Sequence, residues 1–561
     1  MGGTANYTDL QSSISGGNPN VNILIGSGYH KETTVFPADF ADEKLTFRFN
    51  TNVNSNNQRL KLKFSATYVR NNTNLPLISM VNQNSLVIAP NAPTPFNSDG
   101  SLNWGPNFTF TQNPFTNAIR KYKSSTNNLI SNAIASCTLV PGFEIKSSFG
   151  YSSLHVDETA TVPIFSQIIT PSTTGSSSIS NNNISSWIIE PQLTFSKSLL
   201  GTQFEAVFGS TFQKKESKGV KFTGRGFTTD VFIENINAAP TIISDGSSYA
   251  AYKYAAIFGR VGLRSNDKYL INLTARRDGT SRFGKNKQFN NFGAIAAGWI
   301  FSKERFIQRF FPFVSFGKLK VSYGITGNDG IGDYQYYDLY RPTNTPYQGS
   351  ISLYPDRLNN PDISWEETKK FEFGADLGLL EDRIVFALSI YRNRSGNQLL
   401  SFNLPATTGF RSIALNFPAL VENTGCELSF TTILYNKKKF YWSSYLNITR
   451  SRNKLVEFSN LELSTYKNRL QIGQPISIYT LFHFLGVDPN IGVYQFLGKD
   501  GNATSVPTLE DRIVVKSSLP KFFGGLQNTI TVGQLQFDIF FQFVNKIGPN
   551  PIFQVVDRKS V

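Results

Sequence analysis

Three histidines, His30, His155 and His483, lie far apart in the 561 residues, at no spacing that the ligands of a zinc ion would take. They are expected as isolated polar or interface positions, and no metal or other cofactor is assigned. The chain has no Gly-x-Ser-x-Gly and no Ser/His/Asp set that could serve a nucleophile. Gly324-Ile325-Thr326-Gly327-Asn328-Asp329 is glycine-rich but lacks the Gly-Lys-Ser/Thr of a phosphate loop. It reads as a strand-to-loop bend, with Gly324, Gly327 and Asn328 ending a strand and permitting positive φ at the loop entry. Carboxylates gather at Asp356, Asp362, Glu366 and Glu367. Glycoside hydrolysis needs two at a controlled separation, whereas these flank strand starts, so no catalytic residue is assigned. Cys137 and Cys426 fall inside strand-like runs. Two cysteines make no disulfide framework, and two buried thiols are expected.

The remaining chemistry is recognition. Trp104, Phe108 and Phe110 share one long connection, and Tyr334, Tyr336, Tyr337 and Tyr340 crowd another. Their rings could stack on sugars or touch peptide side chains. The competing expectation is that they pack each loop's own small core.

The elements that would carry these loops are long alternating runs. In Trp365–Leu400, Phe371, Phe373, Ala375 and Leu377 fall on one face, and Lys370, Glu372, Gly374 and Asp376 on the other. After the polar break Glu381-Asp382-Arg383, Ile384, Phe386, Leu388 and Ile390 share a face, with Val385, Ala387, Ser389 and Tyr391 opposite. Period two marks strands, and two such runs about a short turn mark an antiparallel hairpin. Runs of ten or more residues exceed ordinary soluble strands and suit a tilted crossing of a bilayer.

The same pattern recurs along the chain. Runs at 45–53 and 60–69 turn at 55–58, and runs at 128–139 and 142–153 turn at Pro141-Gly142. Pairs follow at 185–196 with 202–213, 251–264 with 268–277, and 291–302 with 316–325. The last are 423–435 with 440–450 about Lys437-Lys438-Lys439, and 520–531 with 535–545. Short turns alternate with long connections, as in outer-membrane barrels with short periplasmic turns and long extracellular loops. About 18 to 19 strands are expected. Aromatics near run ends, among them Phe64, Tyr68, Phe149, Tyr151, Tyr269, Trp299, Tyr391, Tyr441 and Trp442, are expected as girdle residues at headgroup level.

Composition agrees. Charged residues are 17% and aromatics 14%, with 48 Phe and 23 Tyr. Mean hydropathy is −0.22, which excludes a bundle of membrane helices. The net charge of +15 is scattered, with no basic helix and no nucleic-acid motif. A basic lumen and polar loops account for it.

Several stretches resemble the SusC/RagA family of TonB-linked outer-membrane proteins. KYLINLTARRDGTSRFGKNKQFNNFGAIAAGWIFSKERF (268–306) is similar to its strand pair about an Arg-x-Asp-Gly-x-Ser-Arg-Phe loop. LKVSYGITGNDGIGDYQYY (319–337) resembles its Ser-Tyr-Gly-x-Thr-Gly-Asn segment, and 360–400 its Asn-Pro-Asp-x-x-Trp-Glu pair, in which Trp365 starts a strand near an interface. VENTGCELSF (421–430), GVDPNIGVYQF (486–496) and LPKFFGGLQNTI (519–530) fit further blocks in family order. In 499–512 the family often reads like a calcium loop. Here Asp500, Asn502 and Asp511 remain without the intervening acids, too few oxygens for calcium.

The resemblance implies an all-β chain: a large antiparallel transmembrane barrel of 22 strands around an N-terminal plug. It implies import of oligosaccharides or peptides, driven by the TonB complex through an N-terminal TonB box and capped by a SusD-like lipoprotein. The first residues lack a leader's basic region and apolar core, and Asp557–Val561 is polar. Residues 1–561 are therefore expected to be a partial barrel without plug, TonB box or signal, meeting TonB only through a missing N-terminal part. A siderophore receptor and a non-transporting adhesin or structural barrel are the competing readings, and a secreted soluble β-protein is a more distant one.

Overall fold

The computed structural model describes residues 3–80, 93–104, 113, 115–343 and 348–548. Its main sheet has 18 strands, in line with the number expected. In chain order they are β1 (Tyr7–Gly17), β2 (Val21–Thr33), β3 (Ala41–Asn54), β4 (Leu60–Pro76), β5 (Lys121–Val140), β6 (Phe143–Val162), β7 (Gly175–Leu199), β8 (Thr202–Phe227), β9 (Thr241–Ser265), β10 (Tyr269–Thr280), β11 (Phe289–Trp299), β12 (Val314–Asn328), β13 (Glu366–Leu379), β14 (Ile384–Gly396), β15 (Ala419–Lys437), β16 (Phe440–Phe458), β17 (Phe522–Val532) and β18 (Leu535–Asn545). No helix among the described residues is long and apolar enough to cross a membrane.

The chain divides into two compact units, with boundaries inside β7, β8 and β9. In the first unit β1 to β6 pair antiparallel in sequential order. Ile14, Ile25 and Phe49 form one row across β1–β3, and Ser13, Gly26 and Arg48 form the neighbouring row on the opposite face. In the second unit β10 to β18 also pair antiparallel in order. Leu377, Phe386, Phe430, Leu446, Leu526 and Phe541 form a row over six strands, one step from Asp376, Ala387, Ser429, Asn447, Gly525 and Gln542. A one-residue slip would exchange these faces, so the alternation itself sets the register.

The apolar face is not a protein core. Ile295 is 52% exposed, Phe371 43%, Ile390 45% and Phe541 59%. Buried hydrophobic clusters lie instead about the connections. One holds Phe417, Val421, Leu455 and Phe458, and another holds Met80, Leu102 and Phe115.

The short turns use the chemistry the sequence offers. Gly142 takes φ 87° after Pro141, and Gly533 takes φ 62° in the two-residue turn between β17 and β18. Leu380, Glu381 and Asp382 are all left-handed, at φ 54°, 58° and 59°, where β13 turns into β14.

Four expectations are corrected. The strands outrun their apolar alternation at the long-connection end: β8 extends to Phe227 and β16 to Phe458, and the last residues of β16 pair with β15 while Leu455 and Phe458 pack into a buried cluster about the connections. Gly324, Gly327 and Asn328 are not at positive φ but lie in the extended backbone of β12. Cys137 is half-buried and Cys426 exposed, both as free thiols, because they stand in apolar-face rows. Tyr391 opposes Glu372, and Tyr441 opposes Thr531, so both sit on the polar face and not in a girdle.

The connections carry small sheets that sequence alternation did not show, among them 339–342 with 353–357 and 398–403 with 412–417. A short helix, Arg305–Phe310, lies between β11 and β12.

Candidate functional site

Two arrangements in the second unit bear on function. The first is a hollow of ≈ 800 Å³ against the polar face of β12 to β16. Its side chains come from alternate positions of neighbouring strands. Glu372 stands opposite Tyr391, and Ser389 Oγ donates to Glu372 Oε1 at 2.9 Å. Asn423 faces Asn393 on one side and Asn453 on the other. Asn453 Nδ2 donates to Asn423 Oδ1 at 2.7 Å, and its own Oδ1 accepts from the Ile476 backbone N–H at 2.8 Å. The Tyr391 ring lies over Gly425, where an added Cβ would come within 2.4 Å of it. Amides, carboxylates and a phenol at fixed spacing form a surface able to hydrogen-bond hydroxyls or peptide groups. Sequence reasoning assigned none of these residues to recognition, and it expected Tyr391 in the girdle. The available signal was their parity, since each is the polar neighbour of an apolar strand position.

The second arrangement joins three of the motif stretches. Phe283 is fully buried, with its ring 5.4 Å from that of Trp365. Trp365 is 5% exposed, also meets Phe292 at 5.4 Å, and donates its indole N–H to the Gln288 carbonyl at 3.0 Å. Arg282 donates through Nε to Asp333 at 3.0 Å and through Nη1 to the Asp329 carbonyl at 3.0 Å. Thr280 Oγ1 donates to Asp329 Oδ2 at 2.8 Å. The connections after β10, after β12 and before β13 are thereby clasped together. Three of the four carboxylates weighed for hydrolysis, all but Asp362, have side-chain partners among the described residues. Glu366 accepts from Asn328 at 3.2 Å, Glu367 from Asn290 at 2.8 Å, and Asp356 pairs with Arg341 at 2.8 Å. Asp500 and Asp511 accept the backbone N–H groups of Asn502 and Lys499.

The candidate aromatics divide. Tyr334 is left-handed at φ 60°, and its carbonyl accepts from Arg357 Nη2 at 2.7 Å. Tyr336 and Tyr337 have ring centroids 4.2 Å apart, and burial, then the neighbouring Tyr337 phenol, pushes the Tyr336 hydroxyl up to about 12. Tyr337 is 51% exposed and Tyr340 57%, so both offer ring faces to solvent. In the first unit Trp104 packs against the Met80, Leu102 and Phe115 cluster. Phe108 and Phe110 lie outside the described residues. His30 Nδ1 is 3.5 Å from Asp9, and His155 Nε2 is 3.1 Å from Asp157.

A family model described as TonB dependent receptor-like, beta-barrel, matches residues 2–504. TonB-dependent receptor P26 of Formosa agariphila is 26% identical over 96% of this chain and 57% of its own length. TonB-dependent receptor SusC of Bacteroides thetaiotaomicron is 28% identical over 48% of this chain and 27% of its own. Among solved structures, the RagAB peptide importer in the closed-closed state superposes with a TM-score of 0.84 at 21% identity, covering 97% of this chain and 62% of that one. The chain thus spans about 57% of the length of the P26 relative.

Proposed function

The chain belongs to the TonB-dependent receptor-like β-barrel family, and from that premise we propose that it is the barrel wall of a SusC-type nutrient importer in the outer membrane of a Gram-negative bacterium. The family is one of outer-membrane transporter receptors, not enzymes. The observation that carries the proposal is the sorting of rows: Leu377 to Phe541 apolar over six strands, and Asp376 to Gln542 polar one step away. A sheet with one half-exposed apolar face and one wet face suits hydrocarbon outside and an aqueous path inside.

In this reading Glu372, Tyr391, Asn423 and Asn453 line the path, and Tyr337 and Tyr340 present rings to the incoming ligand. The cargo is an oligosaccharide or a peptide, handed over with a SusD-like surface lipoprotein. Energy arrives from the TonB complex through a part of the protein outside these residues. The likeness to SusC and to the RagAB peptide importer supports this choice over siderophore uptake.

The test is to disrupt the full-length gene in its host and follow uptake of labelled oligosaccharides and peptides. Loss of one class of cargo, restored by the intact gene, is expected. Unimpaired uptake of every cargo together with lost surface attachment would replace the importer with an adhesin.

A further inference from the structure

The apolar face of β13 to β16 changes character along its length. From the short-turn end the rows read Leu377, Phe386, Phe430, Leu446, then Ala375, Leu388, Leu428, Ile448. The next is Phe373, Ile390, Cys426, Arg450, then Phe371, Arg392, Thr424, Arg452, then Lys369, Arg394, Glu422, Lys454. Six cations enter a face that is otherwise apolar, against the one carboxylate of Glu422. That carboxylate is shared: Arg392 Nε and Arg394 Nε both donate to its Oε2, at 2.8 and 2.7 Å. Arg450, Arg452, Lys369 and Lys454 are exposed, and among the described residues none of them has a carboxylate partner.

Position along the strand gives the charge its meaning. Trp442 and Tyr435 oppose each other on this face at the short-turn end. Arg450 is eight residues beyond Trp442 and Lys454 twelve. At a rise of about 3.3 Å per residue and a tilt of about 40°, that places the cations roughly 20 to 30 Å above the aromatic row. An outer-membrane barrel's apolar band is about 25 Å tall. The basic rows therefore straddle its far boundary, at headgroup level on the side of the long connections.

We propose that this belt is a binding site for the phosphate of an anionic lipid headgroup in the leaflet facing the long loops. Arg450 and Arg452 stand two residues apart on one face, separated by about 7 Å. Their guanidinium forks match phosphate oxygens, and the Thr424 hydroxyl lies in the same row. The apolar rows directly below accept the acyl chains. A water-soluble anion would have no use for that lower half, whereas a lipid fills both.

The inference rests on the membrane-spanning reading above, and the experiment separates the two. The full-length protein is placed in phosphatidylcholine vesicles carrying a trace of spin-labelled phosphatidic acid or spin-labelled phosphatidylcholine, and the motionally restricted fraction of each label is measured. Preference for phosphatidic acid is expected. It should fall by about fivefold or more in R392Q/R450Q/R452Q, survive in R450K/R452K, and be unaffected by K370Q on the polar face. Equal restriction of both labels by the wild type overturns the lipid site, with no need of a variant that might misfold. So does undiminished preference in the triple variant, or an equal loss in K370Q. Restriction of neither label overturns the membrane reading instead.

Discussion

Gly327 shows what single residues did and did not disclose. Its place in a glycine-rich motif was plain, and left-handed backbone was the natural expectation. The structure gives another cause: a Cβ at Gly327 would come within 2.0 Å of Phe292 Cζ, and one at Gly324 within 2.7 Å of the Ala294 Cβ. Phe292 is held by Trp365, far along the chain. A cross-strand neighbour of that kind cannot be read from local sequence. Glu304 carries a different lesson, since nothing in the sequence marked it. Lys268 Nζ at 2.9 Å, Tyr269 Oη at 2.7 Å and Trp299 Nε1 at 3.2 Å all donate to its carboxylate, and together they hold it well below the usual carboxylate range, at about 2. A depressed folded pKa favours the fold above the ordinary value of 4.5, and that contribution disappears as pH falls towards 2. E304Q should therefore unfold at a lower temperature than wild type at neutral pH, with the gap closing through this acid window. Thermal unfolding followed by circular dichroism at stepped pH checks it, and a gap independent of pH counts against the Lys268 and Tyr269 contacts.

At the scale of elements, the hairpins were legible because one face of each strand is apolar and the other polar. Their far ends were not, because along β16 the apolar row gives way to Arg450, Arg452 and Lys454, and the Leu455 and Phe458 that follow belong to a buried cluster, so period two loses its contrast. The clasp was half legible. Its three motif stretches were visible as resemblances, but not that they meet: Arg282 reaches Asp333, and Trp365 caps Phe283 and the Gln288 carbonyl. Read this way, the motifs maintain the connections' shape and do not touch cargo. W365A removes a buried ring worth about 3 to 5 kcal/mol when truncated and takes one of two donors from the Gln288 carbonyl, which keeps the Thr280 backbone N–H at 3.1 Å. The loss should be local, because β10 to β13 stay paired through their own ladders. Hydrogen exchange should rise sharply over residues 281–290 and 360–366 while the strand cores keep their protection. Uniform acceleration across all strands would mean that Trp365 supports the sheet as a whole.

For the molecule as a whole, the decisive property is which medium each face meets. Half-exposed Ile295, Phe371, Ile390 and Phe541 leave two possibilities, hydrocarbon or another protein layer. Composition already leaned to the first, since 14% aromatic residues with mean hydropathy of −0.22 is what an alternating wall should show. The charge did not sort itself so clearly. A basic lumen was the expectation, yet Arg392, Arg450 and Arg452 stand in rows of the apolar face, at its rim. Only register across strands distinguishes a rim from a lumen, and register is a property of pairs. Nitroxides placed singly at Phe386, Ala387, Leu388, Ser389 and Ile390 of the full-length protein in vesicles should settle the medium. Positions 386, 388 and 390 should collide mainly with oxygen, which concentrates in hydrocarbon, and 387 and 389 mainly with a water-soluble nickel chelate. The two collision rates should oscillate with period two and in opposite phase. In a soluble sandwich the inward positions would be shielded from both reagents, so in-phase oscillation would remove the barrel wall and the importer built on it.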